Sequence, residues 1–164
     1  AADRCECGAR AAAVAAALLG VRGVGCLGGG DPFFCGSVMY LYARLSGEFT
    51  CQVVPGVTSM TASAAMTGMP LAARNEVLTV IPGPLEEAAL EARIAGSDSL
   101  VIMKVGRHLP KICAVIERLG LLDQATYIER ATLPAQVTLP LAQAPEKAPY
   151  FSMILITKGA DPWL

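Results

Sequence analysis

Apolar positions in this chain come in short blocks of two different spacings, separated by Gly and Pro. Val38, Leu41, Tyr42 and Leu45 fall at i, i+3, i+4 and i+7, which predicts a helix ending at Leu45. Ile112, Val115, Ile116 and Leu119 form a second stripe at helical spacing, opened by Pro110 and closed by Gly120. Ser99 to Val105 is nearly continuous apolar sequence, which predicts a strand buried on both faces. Shorter apolar runs predict strands at Val21 to Leu27, Cys51 to Val54, Val77 to Ile81, Ala125 to Arg130 and Tyr150 to Ile156. Ala9 to Leu19 is almost all alanine and stops at Gly20, so it reads as a helix. Met60 to Thr67 and Leu85 to Ala95 read as helices too, the latter opened by Pro84. Leu139 to Pro149 is Pro-rich and polar, a loop or a crossover. Strand and helix alternate throughout, which places the chain in the α/β class. Leu71 to Glu76, bounded by Pro70, reads as a connector between two lobes.

The run that ends at Leu27 leads into Gly28-Gly29-Gly30-Asp31-Pro32-Phe33-Phe34-Cys35-Gly36-Ser37. Glycines permit positive φ and close approach of a ligand or another backbone. Pro32 stiffens the exit, and Ser37 stands where it can cap the next helix. A ligand loop and a plain tight turn both fit. No Lys-Ser or Lys-Thr follows, so this is not a P-loop, and the spacing is not that of the dinucleotide fingerprint. A cradle without Lys or Arg suits a triphosphate poorly. Pro55-Gly56-Val57-Thr58-Ser59 is a second loop of the same kind. There Thr58 and Ser59 either cap the following helix or turn a hydroxyl to a ligand.

The 164 residues suffice for one ordinary domain or two small ones, and 54% hydrophobic against 16% charged residues supports a folded core. A net charge of −1 without a basic run argues against nucleic acid and anionic membranes as partners. No apolar run reaches the length of a membrane span. Asp3, Arg4, Glu6 and Arg10 make the opening unlike a secretory signal, so the expected compartment is the cytoplasm. The spacings of the six cysteines match no zinc pattern, and His108 is the single histidine. Cys26, Cys51 and Cys113 lie in apolar patterns and are expected to be small buried hydrophobes. Cys5-x-Cys7 fits either a soft metal or a frayed terminus. His108, at a helix start after a loop, reads as a solvated surface residue.

Two loops taken together add more. Gly29-Gly30-Asp31-Pro32-x-x-x-Gly36 followed by Val53-Val54-Pro55-Gly56-Val57-Thr58-Ser59 resembles the tetrapyrrole methylase family. Asp31-Pro32-Phe33-Phe34, Met39-Tyr40-Leu41, Pro70-Leu71-Ala72-Ala73-Arg74-Asn75, Glu129-Arg130-Ala131-Thr132-Leu133-Pro134 and Tyr150-Phe151-Ser152-Met153-Ile154-Leu155 extend the resemblance over most of the chain from about Val21. Two positions depart from it: Gly28 stands where the family pattern has an acidic residue, and Cys35 where it has Tyr.

The resemblance implies two α/β lobes, residues 1–73 and 74–164, with the cofactor in a cleft between them. It also implies a first lobe incomplete at its start, since the family's opening strand and Gly-Pro-Gly loop are not found here. The implied cofactor is S-adenosylmethionine, with no metal. The implied reaction is methylation of a reduced tetrapyrrole at carbon 20 in cobalamin biosynthesis, on precorrin-2 or on cobalt-factor II. Carried over by motif, Gly29, Gly30, Asp31 and Phe34 line the cofactor, with Thr58 and Ser59 beside them. Val105, Gly106, Ala131 and Thr132 close on it from the second lobe. Arg74, Lys104, Arg107 and Arg130 are candidates for the substrate carboxylates, or are surface charges at loop ends. The family habit implies a homodimer. Methyl transfer from a sulfonium needs placement and exclusion of water, not a catalytic triad or a pair of carboxylates, and no catalytic base is assigned. A cofactor-binding remnant without turnover is the alternative.

Overall fold

The computed structural model describes residues 2–20 and 23–159, with backbone only for residues 2–7. It divides into two compact units, Ala1–Ser59 and Met60–Leu164. The first holds α1 (Ala2–Gly20), which contains the alanine run, and α2 (Val38–Leu45), which packs on it. Helical backbone begins well ahead of the alanines. Ser37 sits at the N-cap of α2 but keeps a helical backbone and makes no cap hydrogen bond. The Cys5-x-Cys7 side chains lie outside the described residues.

Two expected strands do not form in this unit. Val21 and Arg22 lie outside the described residues, and Gly23 to Gly28 are exposed and carry no ladder, with Leu27 fully exposed at 101%. Residues 51–58 are likewise without strand structure, and Val54 and Val57 face solvent. A strand is not a local state; it exists when a neighbour takes its N–H and C=O groups. Among the described residues of this unit, none does. Cys26 and Cys51 are therefore exposed, not buried as their apolar neighbours suggest. Cys113 is half-buried, and burial pushes its thiol up.

The second unit opens with the body of α3 (Ser59–Thr67) and is built on one sheet. Its strands are β1 (Leu78–Pro82), β2 (Ser99–Met103), β3 (Ala125–Glu129), β4 (Val137–Pro140) and β5 (Ser152–Thr157), in the order β1-β2-β5-β3-β4. The β1–β2 pair is parallel, with α4 (Glu87–Ala95) as the crossover. β5 inserts antiparallel between β2 and β3, pairing Val101 with Leu155 and Tyr127 with Ile154. β4 is an exposed antiparallel edge on β3, and its last two residues, Leu139 and Pro140, lie in the stretch expected to be a loop or a crossover. β2 is buried along its whole length, as its unbroken apolar run requires.

The core lies between the sheet and the helices. Ile81, Ile102, Tyr127 and Ile154 from the strands meet Leu90 and Ile94 of α4. Ile112, Val115 and Ile116 of α5 (Leu109–Arg118) complete it, which accounts for the helical stripe in the sequence. Lys158, just after β5, donates to the carbonyls of Ile94 and Ala95 and so satisfies the end of α4. Among the described residues no helix is long and apolar enough to cross a membrane.

Candidate functional site

In the first unit the two glycine loops meet. The Gly56 N–H donates to Asp31 Oδ2 at 3.0 Å, and the Phe33 N–H donates to Oδ1 of the same carboxylate at 2.9 Å. The approach requires glycine: a Cβ on Gly56 would lie 2.4 Å from the Gly30 carbonyl oxygen and 3.2 Å from Asp31 Cα. Gly30 itself has φ +85 and faces the Val57 carbonyl. Asp31 thus ties the first loop to the second with its carboxylate. Gly28, Gly29 and Gly30 keep their backbone exposed. Phe34 and Thr58 are half-buried, and Ser59 begins α3. Phe33 stacks edge-to-face on Tyr42 of α2, with centroids 5.0 Å apart, which fixes the exit of the loop.

The backbone N–H of Gly56, then that of Phe33, holds the Asp31 carboxyl below its ordinary value of 3.8. A depressed carboxylate contributes its tie in full above the ordinary value and loses it as pH falls through the folded one. The expected result is that the Gly56 amide resonance is flat above about pH 5 and moves with a midpoint below 3.8. In Asp31→Asn that transition is absent. A midpoint at or above 3.8 in the native chain would sink the assignment.

In the second unit β1, β2 and β3 run in one direction, so their carboxyl ends share one end of the sheet with the amino end of β5. Lys104 to Arg107, Arg130 to Thr132 and Tyr150 to Ser152 gather there. Lys104 and Arg107 are exposed, and Gly106 is half-buried with φ 38. Val105 is fully buried in the core, and its carbonyl accepts from the His108 N–H at 2.8 Å. The Arg130 N–H donates to the Phe151 carbonyl at 2.8 Å, and the Thr132 N–H donates to Gln136 Oε1 at 2.8 Å. Ala131 is half-buried between them. Arg74 is exposed in the segment that leads into the opposite end of β1, so it does not join this group. His108 is half-buried at the end of a single 3-10 turn, Gly106–His108, and so is less solvated than expected.

Non-glycine residues with positive φ mark these loops and the Arg74 segment. Among the described residues these are Cys35, Arg74, Lys104, Arg130 and Thr132. Such backbone costs about 1–3 kcal/mol each and persists only where the surroundings over-determine it, commonly at functional sites. The sequence reading missed four residues at the sheet end. Tyr127 and Glu129 share the buried face of β3, Ser152 pairs across from Glu129, and Gln136 holds Thr132. The available signal was a carboxylate two positions from an aromatic, on one face of a run that reads as a strand. Tyr150 and Phe151 form an edge-to-face pair at 5.2 Å that is largely exposed at the same sheet end.

The family profile of the Tetrapyrrole (Corrin/Porphyrin) Methylases matches residues 4–145. The chain is 46% identical over 154 residues to precorrin-2 C(20)-methyltransferase of Sinorhizobium sp, covering 93% of this chain and 63% of that protein. It is 35% identical over 151 residues to cobalt-precorrin-2 C(20)-methyltransferase of Salmonella typhimurium, covering 90% and 64%. The chain therefore spans just under two thirds of the length of these relatives. Among solved structures, uroporphyrin-III C-methyltransferase of Thermus thermophilus, crystallised with S-adenosylhomocysteine, superposes with a TM-score of 0.55 at 28% identity, over 77% of this chain and 62% of that one. The glycine loops, the mixed sheet and these likenesses agree, and the chain belongs to the tetrapyrrole (corrin/porphyrin) methylase family.

Proposed function

We propose that this chain carries the larger part of an S-adenosylmethionine-dependent methyltransferase that methylates precorrin-2 at carbon 20 in cobalamin biosynthesis. The observation that carries the reading is the chemistry of the tied loops in the first unit. Gly28 to Ser37 offers exposed main-chain amides and carbonyls, one carboxylate and no cation. That donor set fits a cationic sulfonium with its adenosyl group and does not fit a polyphosphate. The substrate assignment is supported by the identity with the Sinorhizobium sp enzyme over most of the chain.

The bound cofactor would supply an already activated methyl group. The chain's own work is to hold and to exclude. Gly29, Gly30, Asp31, Phe34, Thr58 and Ser59 in the first unit, and Val105, Gly106, Ala131 and Thr132 in the second, are the residues assigned to the cofactor. Lys104, Arg107 and Arg130 stand at the sheet end with the exposed Tyr150–Phe151 pair, a combination of cations and flat apolar surface suited to a ring that bears carboxylates. Arg74 would meet a carboxylate from its own segment. We place the lobe boundary after Ala73 and the working enzyme in the cytoplasm as a homodimer; exposed Leu27, Val54 and Val57 offer apolar surface for association.

Calorimetric titration with S-adenosylhomocysteine tests the cofactor site, with micromolar binding expected. Transfer of labelled methyl from S-adenosylmethionine, assayed in parallel on precorrin-2 and cobalt-factor II, tests the rest. Faster turnover of cobalt-factor II would reassign the substrate, and binding without transfer to either would make the chain a cofactor-binding remnant.

A further inference from the structure

β3 carries a polar pair on its buried face. Tyr127 is fully buried, and Glu129, two positions on, is 8% exposed. Tyr127 Oη donates to Glu129 Oε2 at 2.5 Å, and the Arg130 guanidinium pairs with Oε1 of the same carboxylate. Burial, then the hydrogen bond to Glu129, pushes the Tyr127 hydroxyl far above its ordinary value, so it stays a donor throughout. Across the ladder from Glu129 stands Ser152. Its Oγ donates to the Pro149 carbonyl at 2.7 Å and accepts from the Gly106 N–H at 3.3 Å.

Stability alone does not account for this group. The Arg130 side chain is 40% exposed, and an ion pair open to solvent contributes little to stability. What the network joins is informative. Glu129 reaches the Arg130–Thr132 loop through the Arg130 side chain, and its ladder partner Ser152 reaches the turn at Gly106. Gly106, Arg130 and Thr132 all have positive φ, at 38, 50 and 70. The Arg130–Thr132 loop is thus tied to the Glu129 carboxylate, and the Gly106 turn to the ladder partner of that residue, Ser152.

We propose that Glu129 is the positioning residue of these two loops: held by Arg130 on one oxygen and Tyr127 on the other, and paired along the ladder with Ser152, it keeps the Arg130–Thr132 loop in register with the Gly106 turn. The proposal rests on the reading that the loops serve the cofactor, and it names the residue that gives them one shape. Glu129→Gln keeps an acceptor for Tyr127 and the volume of the side chain but removes the charge that faces Arg130.

The test combines amide hydrogen exchange of the full chain with S-adenosylhomocysteine titration. In Glu129→Gln the amides of Gly106 and of Ala131 to Leu133 are expected to exchange at least about tenfold faster, while β2 keeps its protection. Cofactor-analogue affinity is expected to fall about tenfold. In the double variant with Arg130→Gln no further loss is expected, because the two residues act as one unit. Additive losses would mark Glu129 as merely structural and overturn the proposal. Unchanged loop exchange in Glu129→Gln overturns it whatever the titration gives. Tyr127→Phe deletes only a hydroxyl and supplies the same exchange test should Glu129→Gln fail to fold. A native chain that binds no S-adenosylhomocysteine would sink the cofactor reading, and the exchange comparison still decides the role of Glu129.

Discussion

Gly56→Ala is expected to weaken S-adenosylhomocysteine binding by roughly 100-fold or more, a loss of about 2.7 kcal/mol. The added Cβ would stand 2.4 Å from the Gly30 carbonyl oxygen, closer than real Cβ contacts come. Its neighbours are backbone atoms, which have no alternative rotamer. The loops must separate, and the Gly56 N–H then leaves Asp31 Oδ2. Exposed loops accommodate such a change at the expense of their geometry, so the damage falls on binding and not on the sheet of the other unit. Thermal unfolding of that sheet should be unchanged. Gly47→Ala is the control: a Cβ there meets nothing within 4 Å, and affinity should stay at the native level. Native affinity in Gly56→Ala would show that the contact of the two glycine loops has no part in the site.

The largest effect on stability is expected from Ile154→Ala. Ile154 is fully buried at the middle of β5, the strand that holds β2 and β3 together. It belongs to the core formed with Ile102, Tyr127 and the helices. Truncation removes the transfer energy of the lost carbons and leaves a cavity that a tightly packed sheet fills poorly. The cost is about 2–5 kcal/mol, a large fraction of the stability of a domain this size. A fall in the melting temperature of the sheet unit by roughly 10 °C or more should follow. A shift of only a degree or two would mean that the β5 core is not the cooperative centre of the unit.

The second unit was legible in the sequence because its elements carry their own signals. Ser99 to Met103 is a continuous apolar run, and Ile112, Val115 and Ile116 are spaced for a single helix face; each formed where expected. β4 escaped because it is an exposed edge ending in Pro140, with no alternation of buried and exposed positions to announce it. The runs around Cys26 and Cys51 are as apolar as true strands, yet neither is one. Pairing partners are a tertiary property, and composition does not reveal their absence. The glycine loops were legible by motif, but the reason for Gly56 was not: its neighbour is the Gly30 backbone, far away in sequence. Glu129 was hidden for the opposite cause. It was read inside a family motif with Arg130, and only the fold turns it inward beside Tyr127.

The placement of β5 also bears on how the protein is made. β2 and β3 never pair with each other; each pairs with β5, which is translated after both. A ribosome adding roughly 5–20 residues per second therefore leaves the apolar face of Leu100 to Met103 without its central partner for on the order of seconds. Over that interval the β1–β2 pair presents an open edge, the kind of surface that chaperones bind and that nascent chains stick by. The sheet closes late and by long-range contacts, which makes folding slow for its size. Yield in the cell should accordingly depend on temperature and on chaperone supply more steeply than the stability of the finished fold would suggest.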